Sequence, residues 1–319
     1  MTLPEADKVG RLLSHRLRGF DEWDSTQLGL QRALEAGVPN AEFDVRFSRD
    51  GQAVAYHDPL FRANDGAWHF VDEWELAALR TQTAFPHLAT LEQMCACFAQ
   101  FRGPDALLHV DIKVGGREAL IHETIAKFGL LQHAVIVSWL PQSLVRFHAL
   151  SPQTRLCFSH LPLSPPLYGF AKAVFEVVDH VPRVVSRAMR ELGPPFLKEA
   201  STVSFHFHDE GDPASGDTGD DGAHHNLCHV VPGLVRGEML RLLLETRGMV
   251  CVPVRLSSRR LVEGYRAQNV EVAVYSADDE PSLERVMAAV DPDIVYVNSA
   301  EVLRKAMAAP LPGATLRPE

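Results

Sequence analysis

Short apolar runs alternate with stretches of helical spacing along most of the chain, and this alternation limits the possible folds more than any other feature. The first three strand-like runs cover residues 11–15, 41–47 and 107–113, and helical patterns follow each of them. Parallel strands connected by helices produce this order of elements. We therefore predict the α/β class with a (β/α)8 TIM barrel, and we keep an open, doubly wound sheet as the alternative.

The middle of the chain interrupts the alternation. After the fifth predicted strand, at 155–158, the sequence becomes proline-rich and then acidic and glycine-rich, which predicts an insertion at about 160–248. Two segments compete for the sixth strand, 203–207 and 249–254, and their composition does not decide between them. With the insertion included, residues 1–319 are predicted to form a single barrel domain.

Composition and charge exclude some classes of protein. A net charge of −10 argues against general nucleic-acid binding, which needs a basic surface. No run approaches the length of a membrane span, and the start of the chain lacks the pattern of a signal peptide, so we expect no integral membrane segment and a cytoplasmic location. Five scattered cysteines show no metal-binding spacing and favour buried, reduced thiols. Homo-oligomerisation stays open.

Acidic residues occupy the predicted second and third strands. Glu42 and Asp44 are two residues apart on one strand and share a face, and Asp111 lies on the next strand. Carboxylates that converge at a barrel mouth would repel one another unless a cation lies between them, and oxygen donors select Mg²⁺ or Ca²⁺. The alternative is a solvated polar face on which Arg46 and Arg49 neutralise the acids.

Two histidines near strand ends are candidates for acid/base chemistry, because imidazole changes its protonation near neutral pH. His15 ends the first strand, and His57 follows a tight turn after the second strand and precedes Asp58. Arg16 and Lys113 are suited to contact phosphate oxygens. Their alternative role is in ion pairs with the acidic residues.

Aromatic and histidine residues elsewhere suggest weaker hypotheses. Trp139 follows the fourth strand and Tyr275 ends the seventh, where either side chain is able to stack on a substrate or to pack at the barrel rim. His206, His208, His224 and His225 flank the acidic stretch of the insertion. Their spacing fits no compact metal site, and a solvated loop is the better interpretation.

The motifs in this order resemble the signature of the glycerophosphodiester phosphodiesterase family. That signature runs His-Arg-Gly, Glu-x-Asp, an Asp-Gly turn, His-Asp, and a strand with a carboxylate-x-lysine pattern. In this chain the corresponding residues are His15-Arg16, Glu42-x-Asp44, Asp50-Gly51, His57-Asp58 and Asp111-x-Lys113. The resemblance is good over residues 11–150 and weaker over 249–308, and residues 160–248 have no counterpart in it.

The resemblance implies a barrel of the phosphatidylinositol-phosphodiesterase type that acts in lipid metabolism. Glu42, Asp44 and Asp111 would be metal ligands, His15 and His57 would be the catalytic pair, and Arg16 and Lys113 would bind phosphate, with Trp139 and Tyr275 as further candidates for substrate contacts. The chain departs from the family pattern at several positions. Leu17 and Arg18 precede Gly19, Asp24-Ser25-Thr26 replaces Glu-Asn-Thr, Asp111 replaces glutamate, and Val297-Asn298 replaces Thr-Asp.

These features predict a metal-dependent phosphodiester hydrolase that acts on a glycerophosphodiester or a related small phosphodiester by histidine acid/base catalysis. One alternative is an enzyme of the lysophospholipase D or sphingomyelinase D kind. A second alternative is a non-catalytic barrel that binds phosphorylated ligands.

Overall fold

A computed structural model describes residues 9–159, 203–206, 229–232 and 234–308. The strands are β1 Leu12–Ser14, β2 Asn40–Phe47, β3 Ala53–Ala55, β4 Leu60–Arg62, β5 Trp68–Phe70, β6 Leu107–Ile112, β7 Ala134–Ser138, β8 Arg155–Ser159, β9 Val203–His206, β10 His229–Pro232, β11 Met249–Pro253, β12 Glu271–Ala277 and β13 Ile294–Val297. The α-helices are α1 Gln27–Glu35, α2 Leu76–Leu79, α3 Leu91–Phe101, α4 Glu118–Lys127, α5 Pro141–Leu150, α6 Gly237–Glu245, α7 Arg259–Arg266, α8 Glu280–Ala289 and α9 Ala300–Ala308. Short 3-10 helices cover His15–Leu17, Val71–Glu73 and Val254–Leu256.

Eight parallel strands close into a barrel. Their order is β1, β2, β6, β7, β8, β11, β12 and β13, and β1 pairs with both β2 and β13, which removes every free edge. Helices connect successive strands on the outside, so the predicted (β/α)8 barrel is confirmed. The short strand β3 runs antiparallel to the end of β2 and adds a hairpin to the barrel wall.

The sixth strand is β11, the later of the two candidate segments. Its parallel pairing with β8 and β12 places Met249–Pro253 in the barrel wall. The competing segment forms β9, which pairs antiparallel with β10 outside the barrel. Both segments are short and contain valine beside other apolar residues, so composition alone does not separate a barrel strand from a hairpin strand. The predicted helix at 170–192 and acidic loop at 209–225 lie outside the described residues.

Two layers of apolar packing support this architecture. Inside the barrel, side chains such as Leu13, Val135 and Cys251 fill the space between strands. Between the wall and the surrounding helices lies a larger core that includes Phe43, Phe98 and other buried residues. No helix in the described ranges combines the length and the apolar character needed to cross a bilayer.

The turn into β11 depends on a glycine. A Cβ atom at Gly248 would lie 2.5 Å from the backbone oxygen of Leu156 and 2.9 Å from a methyl carbon of Leu243. We expect Gly248→Ala to lower the free energy of unfolding by about 1–3 kcal/mol, because this contact forces backbone to move. Gly103→Ala is the matched control, because a Cβ there meets nothing within 4 Å.

Urea unfolding followed by circular dichroism measures this difference. We expect the control to stay within about 0.5 kcal/mol of the parent protein. Equal midpoints for the two variants would contradict the tight approach of β8 to this turn.

Candidate active site

Three carboxylates meet at the mouth of the barrel. Glu42 and Asp44 project from β2 on the same inward face, and the parallel register places Asp111 of β6 directly beside Asp44. All three are buried, with 1 %, 1 % and 8 % of their surfaces exposed. One oxygen from each lies within 4.8 Å of the others, which brings the three predicted ligands together around a single point.

Two cationic side chains lie against the carboxylates. The Lys113 Nζ is 2.6 Å from Asp111 Oδ2 and 2.9 Å from Asp44 Oδ1. The backbone N–H of Arg16 donates to Glu42 Oε2 at 2.9 Å, and its Nε lies 3.3 Å from Asp44 Oδ2. Arg16 and Lys113 therefore form the ion pairs considered as their alternative role, and these two cations face three carboxyl groups.

The pKa shifts reflect this crowding. Burial, followed by the charges of Asp44 and Asp111, raises the pKa of Glu42 well above its ordinary value. Burial also raises the pKa of Asp111, although Lys113 opposes it. At Asp44 burial acts in the same direction, but the charge of Lys113 and then those of other nearby cations outweigh it and lower the pKa. Additional positive charge is therefore favourable at this point.

The donor atoms fit a hard divalent cation. Asp44 Oδ2 and Asp111 Oδ1 are buried and accept no hydrogen bond from the described residues, although buried carboxylate oxygens are normally satisfied. Carboxylate oxygens that converge at one point without a hydrogen-bond donor are the ligands that Mg²⁺ and Ca²⁺ prefer. The solvated-face alternative, in which Arg46 and Arg49 neutralise the acids, does not hold, because the three carboxylates are buried and Arg49 pairs with Glu75.

His15, which directly follows β1, borders this group of acids. Its Nε2 lies 3.9 Å from Glu42 Oε2, and its Nδ1 lies 2.7 Å from the side-chain oxygen of Asn298. The ring also packs edge-on against Tyr296, with 5.5 Å between ring centroids. Burial, and then the positive charge of Arg16, lower the pKa of His15 to about 3, so the ring is neutral at physiological pH.

The hairpin formed by β2 and β3 brings His57 to the same region. The backbone N–H of Tyr56 donates to Asp44 O at 3.0 Å, and Arg46 Nε donates to His57 O at 2.6 Å, so β2 fixes the position of the segment. His57 Nδ1 lies 2.6 Å from Asp58 Oδ1. The hydrogen bond from His57 lowers the pKa of Asp58 below its ordinary value, against the effect of burial.

The backbone between β1 and α1 adopts an unusual conformation next to the acids. Arg16 and Leu17 have φ angles of 53° and 58°, in the left-handed region that side chains other than glycine seldom occupy. The conformation at Arg16 accompanies the hydrogen bond from its N–H to Glu42. Leu17 is fully buried, and this burial helps to offset the backbone strain.

The two aromatic candidates lie at the same end of the barrel in different surroundings. Trp139 directly follows β7 and is half-buried. Tyr275 on β12 packs against Tyr296, with 6.3 Å between ring centroids, and hydrogen-bonds Ser159. Burial raises the pKa of the Tyr275 hydroxyl. A substrate contact for either residue stays a prediction.

The structure adds residues that the sequence analysis did not place in the site. Asn298 contacts His15 directly, and its amide nitrogen contacts Ser276 and Asp278 in turn. Asn298 follows β13, and Ser276 and Asp278 lie at the end of β12. The signal that was available is their position, because polar residues at the carboxyl ends of barrel strands are where functional groups occur.

A family model confirms the resemblance over the first half of the barrel. Residues 13–151 match the Glycerophosphoryl diester phosphodiesterase family. The match runs from β1 through α5 and includes every predicted metal ligand, both histidines and both phosphate-binding candidates. It also agrees with the predicted enzyme class, a phosphoric diester hydrolase of the glycerophosphodiester phosphodiesterase type. No curated protein matches the chain.

Solved structures share the fold over nearly the whole chain. A Galdieria sulphuraria protein assigned as a glycerophosphodiester phosphodiesterase has a TM-score of 0.62 at 12% identity, covering 94% of this chain and 98% of its own. A Silicibacter pomeroyi protein with the same assignment has a TM-score of 0.61 at 13% identity, covering 96% and 97%. An Oleispira antarctica phosphodiesterase, solved with the product sn-glycerol-3-phosphate, has a TM-score of 0.59 at 14% identity, covering 96% and 99%.

Cation binding is directly testable. We expect Mg²⁺ or Ca²⁺ to raise the melting temperature of the parent protein, because an ion that binds only the folded state stabilises it by mass action. Asp111→Asn should abolish this rise. Asp105→Asn is the matched control, because Asp105 is exposed and precedes the opposite end of the same strand.

Differential scanning fluorimetry over a titration of each ion, after treatment with a chelator, gives the measurement. An equal rise in the two variants would show that the ion binds elsewhere.

Proposed function

We propose that this protein is a divalent-cation-dependent hydrolase of a glycerophosphodiester or a related small phosphodiester, with His15 and His57 as its acid/base pair. One observation carries the proposal: three buried carboxylates converge to within 4.8 Å, His15 Nε2 lies 3.9 Å from Glu42 Oε2, and His57 on the neighbouring hairpin is close enough for its charge to act on Asp44. The family match covers all five of these residues.

The ion would be held by Glu42, Asp44 and Asp111, and when bound it would supply positive charge to the phosphate oxygens. Arg16 and Lys113 would assist by contacting phosphate oxygens from their positions beside the carboxylates. Both cations already lie within 3.3 Å of Asp44, so their positions are set before substrate enters. Charges fixed in advance stabilise the transition state without the cost of reorganisation.

The hydrogen-bond partners of the histidines support different roles for the two rings. His15 contacts the neutral Asn298 amide, and its lowered pKa keeps the ring neutral, with Nε2 facing the carboxylates. His57 contacts the Asp58 carboxylate, which is positioned to stabilise positive charge on a doubly protonated ring. We therefore assign His15 as the general base and His57 as the general acid of the first step.

In that step a substrate hydroxyl adjacent to the ester attacks phosphorus. Its proton moves to His15 Nε2, a new P–O bond forms, and the P–O bond to the leaving alcohol breaks as His57 donates a proton to that oxygen. The product of this step is a cyclic phosphate. In a second step, His57 accepts a proton from water as the water opens the ring, and His15 returns its proton to the hydroxyl that is released.

The alternatives differ in substrate or in chemistry. A lysophospholipase D or sphingomyelinase D type of enzyme would act on a choline lipid, and a non-catalytic barrel would bind phosphorylated ligands without turnover. Both histidines and all three carboxylates are present, which favours a catalyst over a binding protein. The solved neighbour that holds sn-glycerol-3-phosphate favours a glycerophosphodiester as the first substrate to test. A cytoplasmic location and the oligomeric state stay predictions.

Replacement of either histidine tests the acid/base pair. We expect His15→Ala and His57→Ala each to lower kcat by about 10²–10⁴-fold, which is the usual contribution of a general acid or base. His122→Ala is the control, because His122 lies on α4 outside the barrel and packs against Phe147. Steady-state kinetics and circular dichroism should show lost activity in folded proteins, and near-parent activity in His57→Ala would refute its assignment.

A panel of phosphodiesters tests the reaction itself. We expect glycerophosphocholine, glycerophosphoethanolamine and glycerophosphoinositol to release an alcohol and glycerol phosphate only when divalent cations are present. Hydrolysis limited to lysophospholipids or sphingomyelin would favour the phospholipase alternative. Binding of phosphorylated ligands without turnover, with or without chelator, would favour the non-catalytic barrel.

A further inference from the structure

Asn298 lies in a chain of hydrogen bonds that ends on His15. Its amide nitrogen donates to Ser276 Oγ at 2.9 Å and to a carboxylate oxygen of Asp278. Its amide oxygen lies 2.7 Å from His15 Nδ1. The backbone N–H of Asn298 also donates to Ala277 O at 2.9 Å. The backbone and the side chain of Asn298 are therefore both hydrogen-bonded to the end of β12.

The donors and acceptors in this chain permit only one orientation of the amide. The carboxylate of Asp278 offers acceptors alone, so the group of Asn298 that faces it has to be the NH₂. The amide oxygen then faces His15. The reverse orientation would place this oxygen against the carboxylate and lose the hydrogen bond that the NH₂ donates to it.

The orientation of the amide in turn fixes the proton on His15. An amide oxygen accepts and never donates, so His15 Nδ1 has to carry a hydrogen to make the 2.7 Å contact. A neutral imidazole with a proton on Nδ1 has its lone pair on Nε2. Nε2 is the nitrogen that points to the carboxylates, 3.9 Å from Glu42 Oε2.

We propose that Asp278 and Asn298 are positioning residues that hold His15 in the Nδ1–H tautomer and aim its Nε2 into the site. Asp278 fixes the amide, the amide fixes the imidazole, and Ser276 adds a second acceptor for the amide nitrogen. The assignment rests on hydrogen-bond donors and acceptors alone. Its kinetic consequence rests on the proposed function, because it requires His15 to act as a base.

A carboxylate at position 298 would also accept from Nδ1, but it would lie beside the carboxylate of Asp278. The observed pair separates the two tasks between an amide that touches the ring and a carboxylate that touches only the amide. The ring is thus oriented while the negative charge stays one residue away from it. His57 differs, because its partner Asp58 is a carboxylate in direct contact with the ring.

The tautomer can be read without any assay of activity. In the full-length, metal-free protein labelled with ¹⁵N-histidine, the His15 signals are identified by their absence in His15→Asn. We expect two-bond ¹H–¹⁵N correlations to show protonated Nδ1 and unprotonated Nε2. In Asn298→Leu, which keeps the size and loses the acceptor, we expect the Nε2–H form or an average of the two.

Variants of the exposed Asp278 keep this test informative if Asn298→Leu does not fold. Asp278→Ala removes only the anchor of the amide, and we expect it to shift the His15 signals in the same direction by a smaller amount. Protonated Nε2 in the parent protein would overturn the proposal. So would unchanged His15 signals in every variant that folds.

Kinetics then separate positioning from a structural role. We expect Asn298→Leu to lower kcat roughly tenfold or more while KM changes by no more than about twofold, because misorientation affects the reacting geometry. Asn298→Asp should retain more activity than Asn298→Leu, and the exchanged pair Asn298→Asp/Asp278→Asn should retain more than Asn298→Asp alone. In the exchanged pair, the carboxylate at position 298 accepts from His15 Nδ1, and the amide at position 278 donates to that carboxylate.

Equal losses in Asn298→Leu, Asn298→Asp and the exchanged pair would overturn the proposal, as would a loss confined to KM. A protein that hydrolyses no phosphodiester but shows protonated Nδ1 on His15 would refute the proposed function and leave the tautomer assignment supported. The two hypotheses therefore fail by different observations.

Discussion

Repulsion among three buried carboxylates is the constraint around which the mouth of this barrel is built. Glu42, Asp44 and Asp111 carry like charges in a place that excludes water, and nearby cations only partly offset them. Such an arrangement is unfavourable to folding unless positive charge is added. The carboxylate oxygens of Asp44 and Asp111 that accept no hydrogen bond from the described residues indicate where that charge belongs. Binding of a cation at this site would reduce the repulsion among the three carboxylates.

The barrel tolerates this arrangement because its strands fix the carboxylates in place. Parallel pairing of β2 with β6 sets Asp44 beside Asp111, and a shift of one residue would turn one of them out of the mouth. Strand pairing extends round the whole barrel and is backed by packing on both faces of the wall. The backbone positions of the acids therefore cannot move apart without disrupting those strands.

Much of this arrangement could be predicted from the sequence. Alternating apolar runs and helices gave the barrel, and the two-residue spacing of Glu42 and Asp44 gave their shared face. The identity of the sixth strand could not be obtained this way, because a hairpin strand and a barrel strand have similar composition. The hairpin of β4 and β5 was missed because its strands are only three residues long. Short strands depend on their neighbours more than on their own residues.

The contact between Asn298 and His15 was equally hidden, although the polar residue at the end of the last strand was visible. The two residues are 283 positions apart, and they meet only because the barrel closes between its first and last strands. Local spacing carries no information about such a pair. Arg16 and Lys113 show the opposite limit, because their residue types suggested phosphate binding while the protein alone already employs them in ion pairs.

The two histidines follow strands of different kinds. His15 follows a strand of the closed wall, whereas His57 follows β3, which belongs to an appended hairpin. A separate apolar cluster, with Val54, Phe61 and Phe85 among its members, packs beneath that hairpin. The spacing between the two imidazole rings thus depends on this small apolar cluster as well as on the barrel. Substitutions in that apolar cluster would therefore change the distance between the two rings without changing any side chain at the barrel mouth.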